Sequence, residues 1–490
     1  MGYSEIYCAL CGISFNMARI RTADEPDEAA WSTYGPAGWI NPLGRDNDEC
    51  STEETGCFYV IRNCEWFKHG VSEGMKSDLW GTMFFDYEPG KIPKVGDRLP
   101  MAEPVIELDG RIGLQKQDLE HVAGPGCSLD DGYLGHHISV EEMRYCQTAQ
   151  GLALKKDDWQ PQSDDHPAEL QSKYFLTGLA DGMPDIEMGP TGVSPVRHGV
   201  SELDSADPFG HCYDDDYNQP SFHPSCFAIF MKLSRLRFGH VEIDGLMEYF
   251  AALASVGHEI PDELCDPDAA AGMDQWWDHN RGAEWLAANP FYVPRLREIF
   301  KQAMDTEPSF SQQDSVFKAG PLDSGSEDTN EPFARLPPEL RNMILDSLDP
   351  KDIASLRLAS RTFYDLPASL FHSLIKKEMP WLWEVWDNEP PFFWATVNES
   401  DIRANGIMDG SSNEESRVIG HNIDVQEHLR QWTLPKPLVS TTNWYIIYRD
   451  IKKHWTDLKG LRNRRRIWTW QGGKGGILDG LAQHLDKGLD

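Results

Sequence analysis

The chain has 490 residues, 40% of them hydrophobic, a length and composition that predict two or three folded domains. Its formal net charge is −34, from 79 acidic against 45 basic residues, so repulsion disfavours nonspecific binding to nucleic acid or to an anionic membrane. No apolar run approaches the roughly 20 residues of a transmembrane helix, and the opening sequence MGYSEIYCAL lacks the features of a signal peptide. We therefore expect an intracellular protein, cytoplasmic or nuclear.

Residues 1–305 are predicted to form one mixed domain of helices and strands with long loops. Strand-like runs occupy 57–61, 79–85 and 174–176, and stretches rich in Gly, Pro and Asp separate the elements. Helices are predicted after Pro224 and over 244–253, 273–286 and 294–304. No segment repeats with a period of about 20–50 residues, which argues against a propeller or a leucine-rich solenoid.

All ten cysteines precede residue 266. Thiols stay reduced inside cells, so paired spacings indicate a metal site before a disulfide. Two spacings are of this kind, Cys8-Ala-Leu-Cys11-Gly12 and His223-Pro-Ser-Cys226. Three thiolates and one imidazole suit a tetrahedral structural zinc, and a helix that begins at Pro224 would favour the Cys226 thiolate.

Two interpretations of this pattern remain open. Cys8, Cys11, His223 and Cys226 could hold zinc and so tie the N-terminus to a distant segment, or they could be small buried residues and a surface histidine. The two half-sites lie more than 200 residues apart, and spacing alone cannot pair them. No pattern assigns a metal role to the other seven cysteines, and Cys57 and Cys64, on either side of the run FYVIRN, are interpreted as packing residues.

A polar segment, 306–330, is poor in large apolar residues and is predicted to be a flexible linker. Beyond it, apolar residues recur every four positions, which predicts one face of a helix: Leu336, Leu340, Ile344 and Leu348. Asp349 and Pro350 end that helix and begin another, whose apolar stripe is Ile353, Leu356, Ala359 and Phe363. So short a segment cannot bury all these faces alone, so it either packs into its own domain or docks on a partner protein.

This segment resembles an F-box. The resemblance rests on the opening Leu336-Pro337-x-Glu339, on the turn Leu348-Asp349-Pro350-x-Asp352-Ile353, and on the apolar run that ends at Phe363. The family often has Val-Cys where Ala359-Ser360 stands, and usually Trp where Phe363 stands. The resemblance implies binding to the Skp adaptor of a cullin-RING (SCF) ubiquitin ligase through these residues: Leu336, Pro337, Leu340, Ile344, Leu348, Ile353, Leu356 and Phe363.

Other segments resemble a group of filamentous-fungal F-box proteins. These have a Cys-x-x-Cys-Gly segment near the N-terminus, then Gly-Tyr-Leu-Gly-His, then an aromatic-His-Pro-x-Cys-Phe stretch. The matching residues here are 8–12, 132–136 and 222–227, and residues 443–468 resemble the closing segment of the same group. The resemblance favours the zinc interpretation of Cys8, Cys11, His223 and Cys226.

The region 377–490 is predicted to be aromatic-rich and mainly helical. Its first part carries a dense set of aromatic residues, interpreted either as an exposed interface or as a core seam: Trp381, Trp383, Trp386, Phe392, Phe393 and Trp394. An amphipathic helix is predicted over 444–458, followed by a basic run that would pair mainly with the protein's own carboxylates. A short tail helix follows the Gly-rich stretch 472–476.

The sequence contains no GxSxG, GxxxxGK[ST], HExxH or GxGxxG motif. We therefore predict a non-catalytic α+β protein: a mixed domain (1–305), a linker (306–330), an all-α F-box bundle (331–376) and a mainly helical C-terminal region (377–490). The predicted function is that of a substrate receptor that binds Skp and, through Skp, a cullin, and recruits a protein for ubiquitination. The alternative is a Skp-bound or zinc-stabilised interaction scaffold without a ligase role.

Overall fold

The computed structural model describes residues 5–31, 50–62, 82–83, 95–101, 114–115, 119–162, 165–182, 190–203, 220–255, 266–273, 277–308, 331–405 and 425–487. Its strands, in chain order, are β1 (Arg19–Ile20), β2 (Phe58–Ile61), β3 (Thr82–Met83), β4 (Arg98–Pro100), β5 (Leu114–Gln115), β6 (Leu119–Val122), β7 (Tyr133–Leu134), β8 (Thr148–Leu154), β9 (Tyr174–Leu176), β10 (Ala180–Asp181), β11 (Thr191–Arg197), β12 (Val200–Leu203) and β13 (Ser221–Phe222).

The α-helices, in chain order, are α1 (Thr52–Thr55), α2 (Pro167–Leu170), α3 (Pro224–Phe238), α4 (Ile243–Ser255), α5 (Pro267–Ala270), α6 (Pro294–Asp305), α7 (Pro338–Ser347), α8 (Pro350–Ala359), α9 (Ala368–Glu378), α10 (Glu399–Asn405), α11 (Val425–Trp432), α12 (Trp444–Lys453), α13 (Lys459–Gly472) and α14 (Ile477–Lys487). Both helices and strands are present, as the predicted mixed class requires. No helix of the described ranges is long and apolar enough to cross a membrane.

The chain divides into two compact units, each built from separate segments. The first comprises Met1–Phe291, Phe392–Val425 and Arg466–Asp490, and the second comprises Tyr292–Pro391 and Gln426–Arg465. The domain boundaries predicted from sequence follow the chain and therefore differ from this partition, for example by giving 292–305 to the N-terminal domain. Polar stretches indicate where a chain is exposed, but they do not indicate where a later segment returns to complete a core.

The first unit is organised around short antiparallel sheets and one buried helix. Strand β2 lies between β4 and β6, and β8 pairs with β9, β10 and β13. In helix α3 nine of the first ten residues are buried, because most of the residues from Pro224 to Leu233 are apolar. The ring of Phe227 stacks on that of Phe222 with centroids 4.8 Å apart, which joins α3 to β13.

The second unit is helical over its described residues. Helix α6 packs on α12, α12 packs on α9, and α9 packs on α7. The backbone N–H of Asn443, the N-cap of α12, donates to the carbonyl of Ala303 at 2.9 Å. The rings of Phe371 and Tyr445 lie 4.9 Å apart and fill the contact between α9 and α12. These helices form the support on which the segment 336–366 is held.

Several predicted elements are present where the sequence placed them. The strand at 174–176 and the helices at 224, 244–253 and 294–304 correspond to β9, α3, α4 and α6. Two short helices and a 3-10 turn, Arg361–Phe363, form the 336–366 segment. The tail helix is α14. Of the strand predicted at 79–85 only Thr82–Met83 is described, and of the linker 306–330 only 306–308 lies within the described residues.

The helix predicted over 273–286 was wrong. In its described part only Glu284–Ala287 is helical, as a 3-10 turn. Gly282 adopts a left-handed backbone with φ of +89°, which interrupts any continuous helix. Trp277 is used for tertiary anchoring instead: its backbone N–H donates to Glu5 at 2.9 Å, and its indole N–H donates to the hydroxyl of Tyr133 at 3.1 Å.

The aromatic residues after the F-box-like segment do not form one set. Residues 381–386 belong to the second unit and 392–394 to the first. Trp381 and Trp383 are buried, and Trp381 packs against Trp455 with centroids 5.4 Å apart, as expected of a core seam. The buried Arg464 lies over the Trp383 ring at 3.9 Å and pairs with Glu384 at 2.9 Å, so this basic residue meets a carboxylate of its own chain.

Candidate metal centre and partner-binding surface

The Cys-x-x-Cys segment folds into a tight loop. The backbone N–H groups of Cys11 and Gly12 both donate to the carbonyl of Cys8, at 3.2 and 2.8 Å. Gly12 has a φ of +72°, a conformation that a glycine adopts without the strain of a Cβ. The Cys8 N–H in turn donates to Ile13 at 2.9 Å. The local sequence thus turns the chain back on itself between the two cysteines.

The other half of the cluster sits at the start of helix α3. His223 is the N-cap residue, Pro224 occupies the first turn, and Cys226 follows within that turn. The two halves are held together by the backbone, since Ala9 donates to the carbonyl of Ser221 at 2.9 Å. The backbone N–H of His223 donates to the Cys8 sulfur at 3.3 Å.

The structure brings the four predicted ligands Cys8, Cys11, His223 and Cys226 together. Their ligand atoms all lie within 4.8 Å of one another, and the four residues could hold a metal ion. His223 Nδ1 is 3.6 Å from Cys11 Sγ and 4.0 Å from Cys226 Sγ. A tetrahedral zinc with Zn–S bonds of about 2.3 Å separates its sulfurs by roughly 3.8 Å. The cluster therefore needs only a small contraction to reach that geometry.

The surroundings of the cluster orient its ligands. His223 Nε2 lies 3.0 Å from the carbonyl of Cys146 and donates its proton there, which leaves Nδ1 as the nitrogen that faces the thiols. Arg466 donates to the carbonyl of Cys11 at 2.8 Å. Gln471 donates to the carbonyl of Cys226 at 3.2 Å, so helix α13 fixes both halves of the cluster.

The electrostatics of this cluster favour the anionic form of one sulfur, that of Cys11, whereas burial and the neighbouring sulfurs raise the pKa of Cys226. Burial disfavours the thiolate of Cys11, but hydrogen bonds from Cys226, Cys8 and His223 outweigh it and hold the pKa of Cys11 well below its usual value. Burial also acts to lower the pKa of His223, yet the charge on Cys8 and the hydrogen bond with Cys11 raise it to about 10. Thiolates and an imidazole held this close must share protons or a bound cation.

A second Cys/His group was not predicted from the sequence. Cys50, Cys57, His121 and Cys127 also have ligand atoms within 4.8 Å of one another. Cys57 does pack in an apolar cluster, as interpreted, but that interpretation missed the three other ligands around it. The sequence offered only two signals, the spacing Cys50-x6-Cys57 with Gly56 inside it and the spacing His121-x5-Cys127 with Gly124 and Gly126 inside it. Cys64 lies outside the described residues.

The F-box-like segment exposes part of its apolar surface. Leu340 is 45% exposed, Pro337 is exposed, and Leu336, Ile344, Leu348 and Leu356 are half-buried. Two further apolar residues that were not among the predicted contacts are more exposed, Met343 at 65% and Leu358 at 64%. We call the exposed apolar residues of this segment the F-box face: Pro337, Leu340, Met343 and Leu358.

Ile353 and Phe363, predicted as contact residues, lie in the interior. They are 4% and 2% exposed, and the Phe363 ring packs edge-on against Phe333 with centroids 5.3 Å apart. Glu331 accepts a hydrogen bond from the backbone N–H of Thr362 at 2.8 Å, which fixes the turn that carries Phe363. Both residues hold α8 and the following turn in place and do not reach the surface.

Residues 333–371 match the F-box domain family. The match covers less than a tenth of the chain and confirms the F-box resemblance of that segment, so the chain contains an F-box domain. Comparison with curated proteins and with solved structures gives no significant match. The resemblance of the flanking segments to a fungal group therefore stays a prediction.

Proposed function

We propose that the chain is an F-box adaptor, the substrate-receptor subunit of an SCF ubiquitin ligase. The F-box match at 333–371 carries this proposal, because F-box domains typically bind Skp within SCF complexes and F-box proteins are generally non-catalytic adaptors. In this role the F-box face docks on Skp, and Skp docks on a cullin. Residues 1–305 or the C-terminal part present the protein substrate.

The exposed side chains of the F-box face support this role. Leu340 and Met343 are three residues apart on α7 and so lie on the same side of the helix. Full burial of a Leu or Met side chain against a partner is worth about 1.5–3 kcal/mol. Leu358 on α8 adds a third exposed apolar side chain to the same domain. Ile353 and Phe363 act from the interior by holding these surface residues in position.

Such an adaptor acts by bringing its substrate close to the enzyme that transfers ubiquitin. The chemistry of ubiquitin transfer takes place on other subunits, and the adaptor raises the effective concentration of the substrate near a charged conjugating enzyme. The net charge of −34 suits a basic or neutral substrate better than an acidic one, because like charges slow association.

We also propose that Cys8, Cys11, His223 and Cys226 bind a structural zinc. Three thiolates and one imidazole complete a tetrahedral shell, a closed arrangement that is typical of structural rather than catalytic zinc. All four residues are buried, the most exposed being His223 at 7%. The metal would contribute its binding energy to the folding of the first unit by tying the N-terminal loop to helix α3.

The adaptor role is tested by Leu340→Lys in the tagged full-length chain. We expect this variant to lose co-purification of Skp and cullin from a fungal lysate, because a charge would be buried in the contact. Leu236→Lys is the matched control: Leu236 is 61% exposed on α3, outside the F-box match, and its replacement should leave Skp binding unchanged. Mass spectrometry of the eluates gives both partners.

The outcomes separate the two functions considered. Skp with cullin in the unmodified chain supports the ligase receptor, and Skp without cullin supports the Skp-bound scaffold. Skp binding that persists in Leu340→Lys contradicts the F-box face as the contact. No Skp in any eluate contradicts both functions and leaves the F-box helices as internal packing.

A further inference from the structure

The second Cys/His group begins with a short loop that brings Cys50 and Cys57 to one place. The hydroxyl of Ser51 caps α1 by accepting from the N–H of Glu54 at 3.1 Å. Gly56 ends the helix with a left-handed φ of +75°, and Cys57 follows immediately before β2. One helical turn between the two cysteines therefore returns the chain beside its starting point.

The other two ligands come from strand β6 and the turn after it. His121 lies on β6, directly opposite Tyr59 of β2 in the antiparallel register. The chain then turns through Gly124 and Gly126, and the Cys127 N–H donates to the carbonyl of Gly124 at 3.1 Å. The Gly126 N–H donates to the carbonyl of Thr55 at 3.0 Å, which joins this turn to the Cys50 loop.

Four ligand atoms converge at the contact between these two loops. Cys127 Sγ lies 3.9 Å from Cys50 Sγ and 3.6 Å from His121 Nε2. The Gly124 N–H donates to Cys57 Sγ at 3.3 Å. The 3.9 Å separation is far longer than the roughly 2.05 Å of a disulfide, but it is close to the roughly 3.8 Å between two sulfurs on one tetrahedral zinc.

The imidazole of His121 is poorly satisfied by the protein. It is fully buried, its Nδ1 has no hydrogen-bond partner within the described residues, and its Nε2 faces only a thiol. A neutral imidazole is the form that binds metal, and a buried polar ring normally has stronger partners than a thiol.

The three cysteines and the histidine offer the ligand types that zinc prefers. Zinc binds cysteine as the thiolate, so a zinc ion bound here would replace the protons of the three thiols.

We propose that Cys50, Cys57, His121 and Cys127 form a second structural zinc site in the first unit. This site stands on its own geometry and does not depend on the adaptor role or on the first cluster. Zinc is the ion that three thiolates and one imidazole in a closed tetrahedral shell select. Bound here, it cross-links the α1 loop to the turn after β6 and thereby clamps the β4–β2–β6 sheet at one end.

Metal analysis of the purified full-length chain tests the proposal. We expect two zinc ions per chain, measured by elemental mass spectrometry against protein concentration, and one in the variant Cys50→Ala. Cys50 is the least buried of the four ligands, so its replacement disturbs packing least. His240→Ala is the control, since His240 is an exposed potential ligand that belongs to neither group, and this variant should keep both ions.

The variant Cys8→Ala separates the two sites. It should also keep one zinc ion, and that ion should be lost on adding Cys50→Ala. No zinc in the unmodified chain, or a zinc content that Cys50→Ala leaves unchanged, would overturn the second site. X-ray absorption at the zinc edge gives an independent check, because two sites of this composition average three sulfurs at about 2.3 Å and one nitrogen at about 2.0 Å per zinc.

Discussion

The carboxyl group of Glu5 is almost completely buried, and it lies three residues before Cys8 in the chain. It is 6% exposed, and it accepts the backbone N–H of Trp277 at 2.9 Å. Burial raises the pKa of Glu5 to about 7, even though hydrogen bonds with Ser14 and Trp277 act to lower it. The native protein therefore holds on to this proton at pH values where an unfolded chain has already released it.

We predict that Glu5→Gln becomes more stabilising as the pH rises. In the unfolded chain a glutamate titrates near pH 4.3, whereas in the native state Glu5 titrates near 7. Between these values the native state binds more protons than the unfolded state, so the stability that Glu5 contributes falls as the pH rises and levels off above 7. Glutamine keeps the acceptor for Trp277 and removes this dependence.

The measurement is the thermal midpoint of Glu5→Gln minus that of the unmodified chain, from about pH 5.5 to 8. The difference should grow over this window. Glu28→Gln, a change at an exposed glutamate, is the control and should show a flat difference. A constant offset for Glu5→Gln would contradict the raised pKa.

At the scale of the elements, two glycines set the contact between the Cys50 loop and the turn after β6. A Cβ on Gly124 would lie 2.2 Å from the carbonyl carbon of Gly56 and 2.2 Å from the carbonyl oxygen of Thr55. These are backbone atoms, which cannot swing aside as a side chain can. The two loops therefore approach at a distance that only glycine permits.

Gly124→Ala should lower stability by about 1–3 kcal/mol, the usual cost of overpacking. Gly192→Ala is the matched control, because a Cβ on Gly192 of strand β11 meets nothing within 4 Å, and its effect should stay within about 1 kcal/mol. The measurement is the thermal unfolding midpoint of each variant, compared with that of the unmodified chain. Equal midpoints would mean that the loops can separate at little cost.

Local patterns in the sequence predicted local structure well. The F-box helices and α3 were found because their apolar spacing and their Asp-Pro or His-Pro starts lie within a few residues of each other. The predicted helix 444–458 instead ended at Lys453, and a turn still delivers Leu458 to the core and Trp455 to Trp381. Apolar spacing indicates burial, and a turn can satisfy it as well as a helix does.

Of the two candidate metal sites, one was recognisable from local sequence patterns and the other was not. The pairs Cys8 with Cys11 and His223 with Cys226 are recognisable because only two residues separate the two members of each pair. The group around Cys57 depends on the register between β2 and β6, which places His121 of β6 directly opposite Tyr59 of β2. It depends also on the close approach of Gly124 to Gly56. No short stretch of the sequence indicates either the strand register or this close approach.

At the scale of the whole molecule, the cysteines are confined to one unit. All ten precede residue 266, and the second unit comprises 292–391 and 426–465. If both groups bind zinc, metal supports only the first unit, while the second relies on helix packing such as that of α9 on α12.

Removal of metal should therefore affect the two units differently. With a strong chelator, hydrogen exchange should rise in 50–62, 119–127 and 220–230, because the cross-links that hold these segments are lost. Exchange in 338–378 and 444–453 should stay as it was. Mass spectrometry of peptides reads both from one sample, and an equal rise everywhere, or none in the first unit, would contradict a metal-dependent first unit.

The hydrogen bonds from Arg466 and Gln471 to the Cys8 loop and to Cys226 have a consequence for biosynthesis. His223 follows Cys8 by 215 residues, so at roughly 5–20 residues per second the first thiols emerge about 10–40 s before their partners. Arg466 and Gln471, which donate hydrogen bonds to the two halves of the cluster, are synthesised later still. Throughout translation the nascent chain must keep these thiols reduced and free of other ligands. A chain whose synthesis stops before α13 lacks Arg466 and Gln471, and its first unit cannot finish folding.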